Sequence, residues 1–237
     1  MDYFPENTLT HYKTKLPETI HLQGQWEVGL SEIQYPHTWY NVNHTDAWFM
    51  VRNKTNLSLL DKVTLPSGYY ESVEDVIKAM RMITKRTENR RAIDISYNRV
   101  NQKTKFNVKD GYIFHTSKEL SELLGFHHKD FSSGEYYSEE VSDINQGLYS
   151  LYVYCPLLEP RTVGDIKVPL LRIVPIEGAN GDFVSKSFQT IQYMPLQHRD
   201  FEEVEIILRD DTGQPVPFKR GKVVITLHFR RARSMIL

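Results

Sequence analysis

The chain has 237 residues, 40% hydrophobic, 25% charged and 12% aromatic, a composition that excludes disordered, collagen-like and coiled-coil classes and suits a folded globular protein. Lys and Arg total 29 against 30 Asp and Glu, so no net field steers the molecule toward nucleic acid or an anionic membrane, and any such role must rest on a local patch. The single cysteine, Cys155, excludes an intramolecular disulfide framework and a multi-cysteine zinc site, and it fits a reducing compartment.

Met1 to Thr10 carries acids and polar residues where a secretory leader needs a basic stretch followed by an apolar run, and no window approaches 18 consecutive apolar residues. The expectation is a protein of the cell interior that neither leaves by that route nor spans a membrane. Glycosylation sequons at Asn43, Asn53 and Asn56 mean little without an export signal.

Alternation of apolar and polar residues dominates the chain. The first strand is expected at Thr19 to Gln23. In the next, Trp26, Val28 and Leu30 share one parity while Ile33 and Tyr35 share the other, so the strand must slip by one residue near Ser31 and Glu32, as a β-bulge does. Strands are then expected at Ala47 to Arg52 and Leu57 to Leu65. From Ser72 the period changes: Val73, Val76, Ile77, Met80 and Ile83 fall at helical spacing behind a capping serine, which predicts a helix over about 72 to 86.

Strands return at Ala92 to Tyr97, Lys105 to Lys109 and Tyr112 to His115. A short helix follows from Thr116, with Glu119 at capping-box spacing, Leu120, Leu123 and Leu124 facing inward, and a stop at Gly125. Ser132 to Asp143 is the most polar loop candidate. Leu148 to Cys155, Ile166 to Val174 and Ser187 to Tyr193 read as further strands. Near the end, Val204, Ile206 and Leu208 alternate with Glu203, Glu205 and Arg209; after a turn-forming Asp210-Asp211-Thr212-Gly213 segment, Val223, Ile225, Leu227 and Phe229 alternate with Lys222, Thr226, His228 and Arg230. Many short strands with Gly/Pro punctuation indicate an all-β sandwich or barrel with two short helices in its loops. No linker or repeat divides the chain, so residues 1–237 are expected to form one domain.

A catalytic reading finds little support. G-x-S-x-G, P-loop, G-x-G-x-x-G and H-E-x-x-H patterns are all missing. Cys155 shares parity with Leu151 and Val153, an apolar setting in which a thiol is not activated. His127-His128-Lys129-Asp130 offers two imidazoles, but neighbours in an extended loop point to opposite sides. His37 and His44 lack a third ligand, and the acidic pairs Glu139-Glu140, Glu202-Glu203 and Asp210-Asp211 are sequence neighbours rather than facing carboxylates. No cofactor, metal or catalytic residue is expected.

Contact residues are better candidates. Trp39 and Tyr40, after Pro36-His37, sit in a loop suited to meeting a partner, because Trp and Tyr bring large area at low entropic cost. Trp26, in strand parity, reads as core. From Lys219 onward the chain has six basic residues and no acid, Arg230, Arg231 and Arg233 among them, leaving a net charge of −7 for the rest. That basic end suits nucleic acid or an acidic neighbouring subunit; a solvated strand end with a basic tail explains it equally.

Leu22-Gln-Gly-Gln-Trp26-Glu-Val-Gly-Leu30-Ser-Glu-Ile-Gln-Tyr-Pro36, Leu120-Ser-Glu-Leu-Leu-Gly-Phe126, Leu151-Tyr-Val-Tyr-Cys155 followed by Val163-Gly-Asp165 and Pro169-Leu-Leu-Arg172, and Asp211-Thr-Gly213-Gln-Pro215-Val-Pro-Phe218 leading into Val223 to Phe229 together resemble the minor capsid, or penton, proteins of Polinton (Maverick) elements and adintoviruses. The order and spacing of the segments carry the resemblance; none is diagnostic alone. It implies a single jelly-roll sandwich that forms homopentamers at the five-fold vertices of an icosahedral virion and docks onto a double-jelly-roll major capsid protein. It also implies residence in the host cell before assembly, and it brings no catalytic residue. The basic end would then be placed to touch packaged DNA. The rival reading is a jelly-roll binding module, lectin-like or receptor-binding, also without catalysis.

Overall fold

The computed structural model describes residues 4–55, 60–85 and 91–232. The chain falls into two compact units, Met1–Trp39 with Leu148–Leu237, and the intervening Tyr40–Gly147. The first unit opens with β1 (His11–His21) and β2 (Trp26–Pro36). The second holds β3 (Trp48–Asn53), β4 (Leu60–Thr64), α1 (Val73–Thr84), β5 (Ile93–Asn98), β6 (Lys103–Val108), β7 (Tyr112–Thr116), α2 (Lys118–Leu123) and β8 (Gly134–Tyr137). The first resumes with β9 (Ser150–Tyr154), β10 (Arg161–Val163), β11 (Ile166–Val168), β12 (Leu170–Pro175), β13 (Phe183–Ser187), β14 (Met194–Pro195), β15 (Asp200–Arg209) and β16 (Val224–Arg231).

In the first unit the strand pairs nest. Hairpin β10–β11 is innermost, β9 pairs β12 around it, β2 pairs the broken strand β13/β14 around those, and β1 pairs β15 outermost, every pair antiparallel. A long hairpin folded over on itself in this way is a jelly roll. Pairing of β15 with β9 closes the sheet β1-β15-β9-β12, and β16 adds to the other side of β2. Val28, Leu30, Ile33 and Tyr35 from β2 pack against Leu151, Val153, Leu171, Ile206 and Leu208 from the facing sheet. Alternation produces this core because every second residue of each strand points the same way.

The expected slip in β2 is present. Against β16, Glu32 pairs with Thr226 and Leu30 with Leu227, so Ser31 is the extra residue, and Val28, Leu30, Ile33 and Tyr35 are all buried despite their split parity.

The second unit has its own core beneath sheets β4-β3-β7 and β5-β6-β8. Five phenylalanines centre it: Phe106 stacks on Phe126 at 4.2 Å, and Phe49, Phe114 and Phe131 meet their neighbours at 5.0 to 6.3 Å. Both helices belong here. In α1, Ser72 accepts from the Asp75 amide, and Val73, Val76, Ile77 and Met80 face the core. In α2 the cap is Ser117 rather than Thr116: the Ser117 hydroxyl accepts from the Leu120 amide, while Thr116 ends β7 and bonds Ser121 Oγ at 2.5 Å. Glu119 therefore falls one position short of a capping box. Gly125 ends the helix at φ +81°, and an added Cβ would lie 2.4 Å from the Glu140 carbonyl oxygen.

Several strand bounds differ from the sequence pattern. The first strand begins at His11 and ends at His21, not Gln23; Pro169 divides Ile166 to Val174 into β11 and β12; and the Ser132 to Asp143 loop contains β8. Of the expected strand Ser187 to Tyr193 only Ser187, the end of β13, is in a strand. Between Ser187, opposite Glu32, and Met194, opposite Val28, the chain has three more residues than β2 and arches outward. Of Leu57 to Leu65, residues 57–59 lie outside the described residues.

Candidate functional site

Side chains that alternate inward along β2 and β16 necessarily leave the others on the outer face of that sheet. Arg230 and Glu27 are cross-strand partners there, and Arg230 Nε donates to Glu27 Oε2 at 2.9 Å. The same guanidinium lies 3.5 Å over the Tyr193 ring, supplied by the arch before β14, and Tyr193 in turn hydrogen bonds His228 Nδ1 at 3.0 Å. Arg231 stands 6.0 Å over Trp26, whose indole donates to the Gln23 carbonyl. Glu27, Tyr193 and His228 were not singled out as contact candidates, although His228 shares the outward parity of Arg230. Arg233 lies outside the described residues.

The arch holds its place because Gly29 is bare. A Cβ at Gly29 would lie 2.4 Å from Ile191 Cγ2 and 2.6 Å from the Gln192 carbonyl oxygen, so the outer face of β2 accommodates the crossing only where no side chain projects.

Trp39 is not a surface residue of this chain. It is 4% exposed, stacks on His37 at 4.0 Å and meets Phe218 edge-on at 5.9 Å. His37 is itself buried and donates from Nδ1 to the Gly178 carbonyl at 3.1 Å, while the Thr38 hydroxyl donates to the Arg220 carbonyl at 2.7 Å. The segment Pro36-His37-Thr38-Trp39 thus plugs one end of the first unit. Tyr40, the first residue of the second unit, is 42% exposed.

The side chains tested for chemistry are otherwise engaged. Cys155 is fully buried, and burial pushes its thiol up to about 11, far from thiolate at neutral pH. Asp130 pairs with His115 on β7 at 2.5 Å rather than with its neighbour His128, and Lys129 pairs with Glu139. His44 Nδ1 contacts Ser67 Oγ at 2.8 Å. Among the described residues no group of three His, Cys, Asp or Glu side chains is placed to hold a metal ion, and no helix is long and apolar enough to cross a membrane.

What remains is an edge. Among the described residues β16 is hydrogen bonded to β2 alone, and Val224, Thr226, His228 and Arg231 along it are exposed. Its inward residues Ile225, Leu227 and Phe229 are only partly buried. An edge strand with unpaired backbone groups and half-covered apolar residues is a surface suited to association.

The chain is similar in structure to the mavirus penton protein. That crystal structure, of selenomethionine-labelled protein, matches with a TM-score of 0.49 and 9% sequence identity over 93% of this chain and 90% of the other. No family model matches the sequence, and no curated protein does.

Proposed function

We propose that this chain is a structural minor capsid protein of the penton type, a subunit that forms homopentamers at the five-fold vertices of an icosahedral virion. The observation that carries the reading is the nested strand pairing of the first unit, which is the jelly roll that the ordered sequence motifs imply. The half-covered flank along β16 supports it further, since a ring of identical wedges needs two different sides that bury against each other. Both units travel in one subunit, and a double-jelly-roll major capsid protein is the neighbour onto which the ring docks.

Of the two roles the sequence leaves open for the basic end, an acidic neighbouring subunit is favoured over packaged DNA. Arg230 is already tied to Glu27 and Tyr193 on an edge strand, where it orders a contact surface more than it offers free charge. The activity is geometric, and no reaction is assigned.

Mass photometry and negative-stain microscopy of the purified chain at micromolar concentration test the reading. A species of five times 27.8 kDa with five-fold projections is expected, alone or on addition of the major capsid protein. Monomers under both conditions would refute it.

A further inference from the structure

We propose that the groove between α1 and β5 binds a single strand of nucleic acid through its phosphates. The groove, about 460 Å³, is walled by Lys78, Arg81 and Met82 of α1 with Lys85 at its C-cap, and floored by Ser96 and Tyr97 of β5. A second hollow beside it shares Arg81 and Lys85. The three cations stand at helical spacings of three and four, so they form one stripe up the solvent face of the helix. At 1.5 Å per residue the stripe is about 10 Å long, which matches three nucleotides of a stacked strand at roughly 3.4 Å each.

The charge on this stripe is largely uncommitted. Lys78 and Lys85 have no ion-pair partner among the described residues, and Arg81 reaches Asp94 only at 3.6 Å with both side chains mostly exposed. Glu74, the carboxylate on the groove wall, is neutralised by Arg99. Aromatic and apolar surface lies among the cations: Tyr97 on the floor, and Met82, 52% exposed, on the wall. A cationic track beside an aromatic ring is the combination that single strands use, phosphates on the charges and a base against the ring. The overall charge of −1 hides this patch.

This inference goes beyond the capsid reading and does not depend on it, because the measurement needs only the soluble chain. Fluorescence anisotropy with a labelled 20-nucleotide single strand should show binding at 50 mM salt that weakens about 15- to 20-fold by 200 mM, the loss expected for three phosphate contacts. The double substitution Lys78→Gln/Lys85→Gln should weaken binding at least tenfold and flatten the salt dependence. Lys78→Arg/Lys85→Arg, which keeps the charge, should bind like the parent, and Arg231→Gln should change affinity less than twofold. Circular dichroism melting of each variant confirms that the fold is intact. No binding by the parent at 50 mM salt, or equal binding by the Gln variant, would overturn the proposal. Competition by poly-glutamate as effective as by unlabelled DNA would also overturn it, since the groove would then read acidic chains in general.

Discussion

Ser31 and Thr226 meet across the bulge in β2, the Ser31 hydroxyl donating to the Thr226 carbonyl at 2.9 Å. Ser31 has no opposite number on β16, yet the parity of the whole strand turns on it. Deleting Ser31 would remove the extra residue and leave Val28, Leu30, Ile33 and Tyr35 in plain alternation, all still inside, whereas inserting a second residue after Ser31, with the bulge still holding one, would turn Ile33 and Tyr35 to the outer face. The insertion is expected to abolish folding and the deletion to preserve it, while Ser31→Ala loses one hydrogen bond and costs about 0.5–1.5 kcal/mol in urea denaturation. An insertion variant that melts like the parent would show that the bulge does not set the register.

Gly29→Ala tests the arch over β2. The added methyl meets the Gln192 backbone as well as Ile191, and backbone cannot rotate away as a side-chain tip does. The expected cost is about 1–3 kcal/mol, read as a lowered urea midpoint. Because the arch carries Tyr193, the same variant should loosen the Arg230 stack. Gly24→Ala is the contrasting case: it has nothing within 4 Å of its Cβ, and any loss there reports its positive φ alone.

Cys155 should be inert while the protein is folded. With its thiol pushed up to about 11 by burial, reaction with a disulfide reagent at pH 8 should proceed no faster than unfolding exposes it, and should become rapid in 6 M urea. Cys155→Ser buries a hydroxyl among Leu151, Val153 and Leu158 and is expected to cost about 1–3 kcal/mol. Stoichiometric labelling of the native protein within seconds would contradict the placement.

Acid should remove a contribution from Glu74. The Arg99 guanidinium hydrogen bonded to it holds its carboxyl below the usual carboxylate range, so the folded state binds the proton less readily than the unfolded one. Its stabilising effect is present above the ordinary glutamate value of about 4.3 and is lost as pH falls through the lowered folded value. Glu74→Gln should therefore melt below the parent at pH 7, with the difference closing by pH 3. A difference that stays constant between the two pH values would assign the effect to packing instead of charge.

The fold was most legible where one face of an element is buried. β16, α1 and the two halves of β2 follow from apolar spacing alone, and the bulge follows from the clash between those halves. β1 was largely missed because it is an edge strand whose residues are mostly exposed, with Pro17 within a register shift between Lys15 and Ile20, so neither alternation nor propensity marks it. The cap of α2 was misplaced by one residue because Thr116 and Ser117 are both good caps, and only the Thr116–Ser121 bond decides between them. The boundaries at Trp39 and Gly147 lack a Pro/Gly/Ser-rich linker, since each runs directly from one core into the other.

Contact residues were harder to read. Trp39 follows a proline and a histidine, as a loop aromatic would, but it meets Phe218 and stacks on His37, which is in turn bonded to Gly178, and Phe218 and Gly178 come from far along the chain. Arg230 was found from its outward parity, whereas its partner Tyr193 lies in a segment whose apolar residues imitate a strand. The cations of α1 lie opposite its apolar stripe, where sequence spacing implies only solvent, and β5 makes the groove beside them.

The second unit begins and ends at nearly the same point, with the Gln146 side-chain amide donating to the Asn41 carbonyl at 2.6 Å. A passenger held by adjoining ends can be lengthened, trimmed or exchanged without rethreading any strand of its host. Host and insert can then diverge at different speeds, each held only to the demands of its own core.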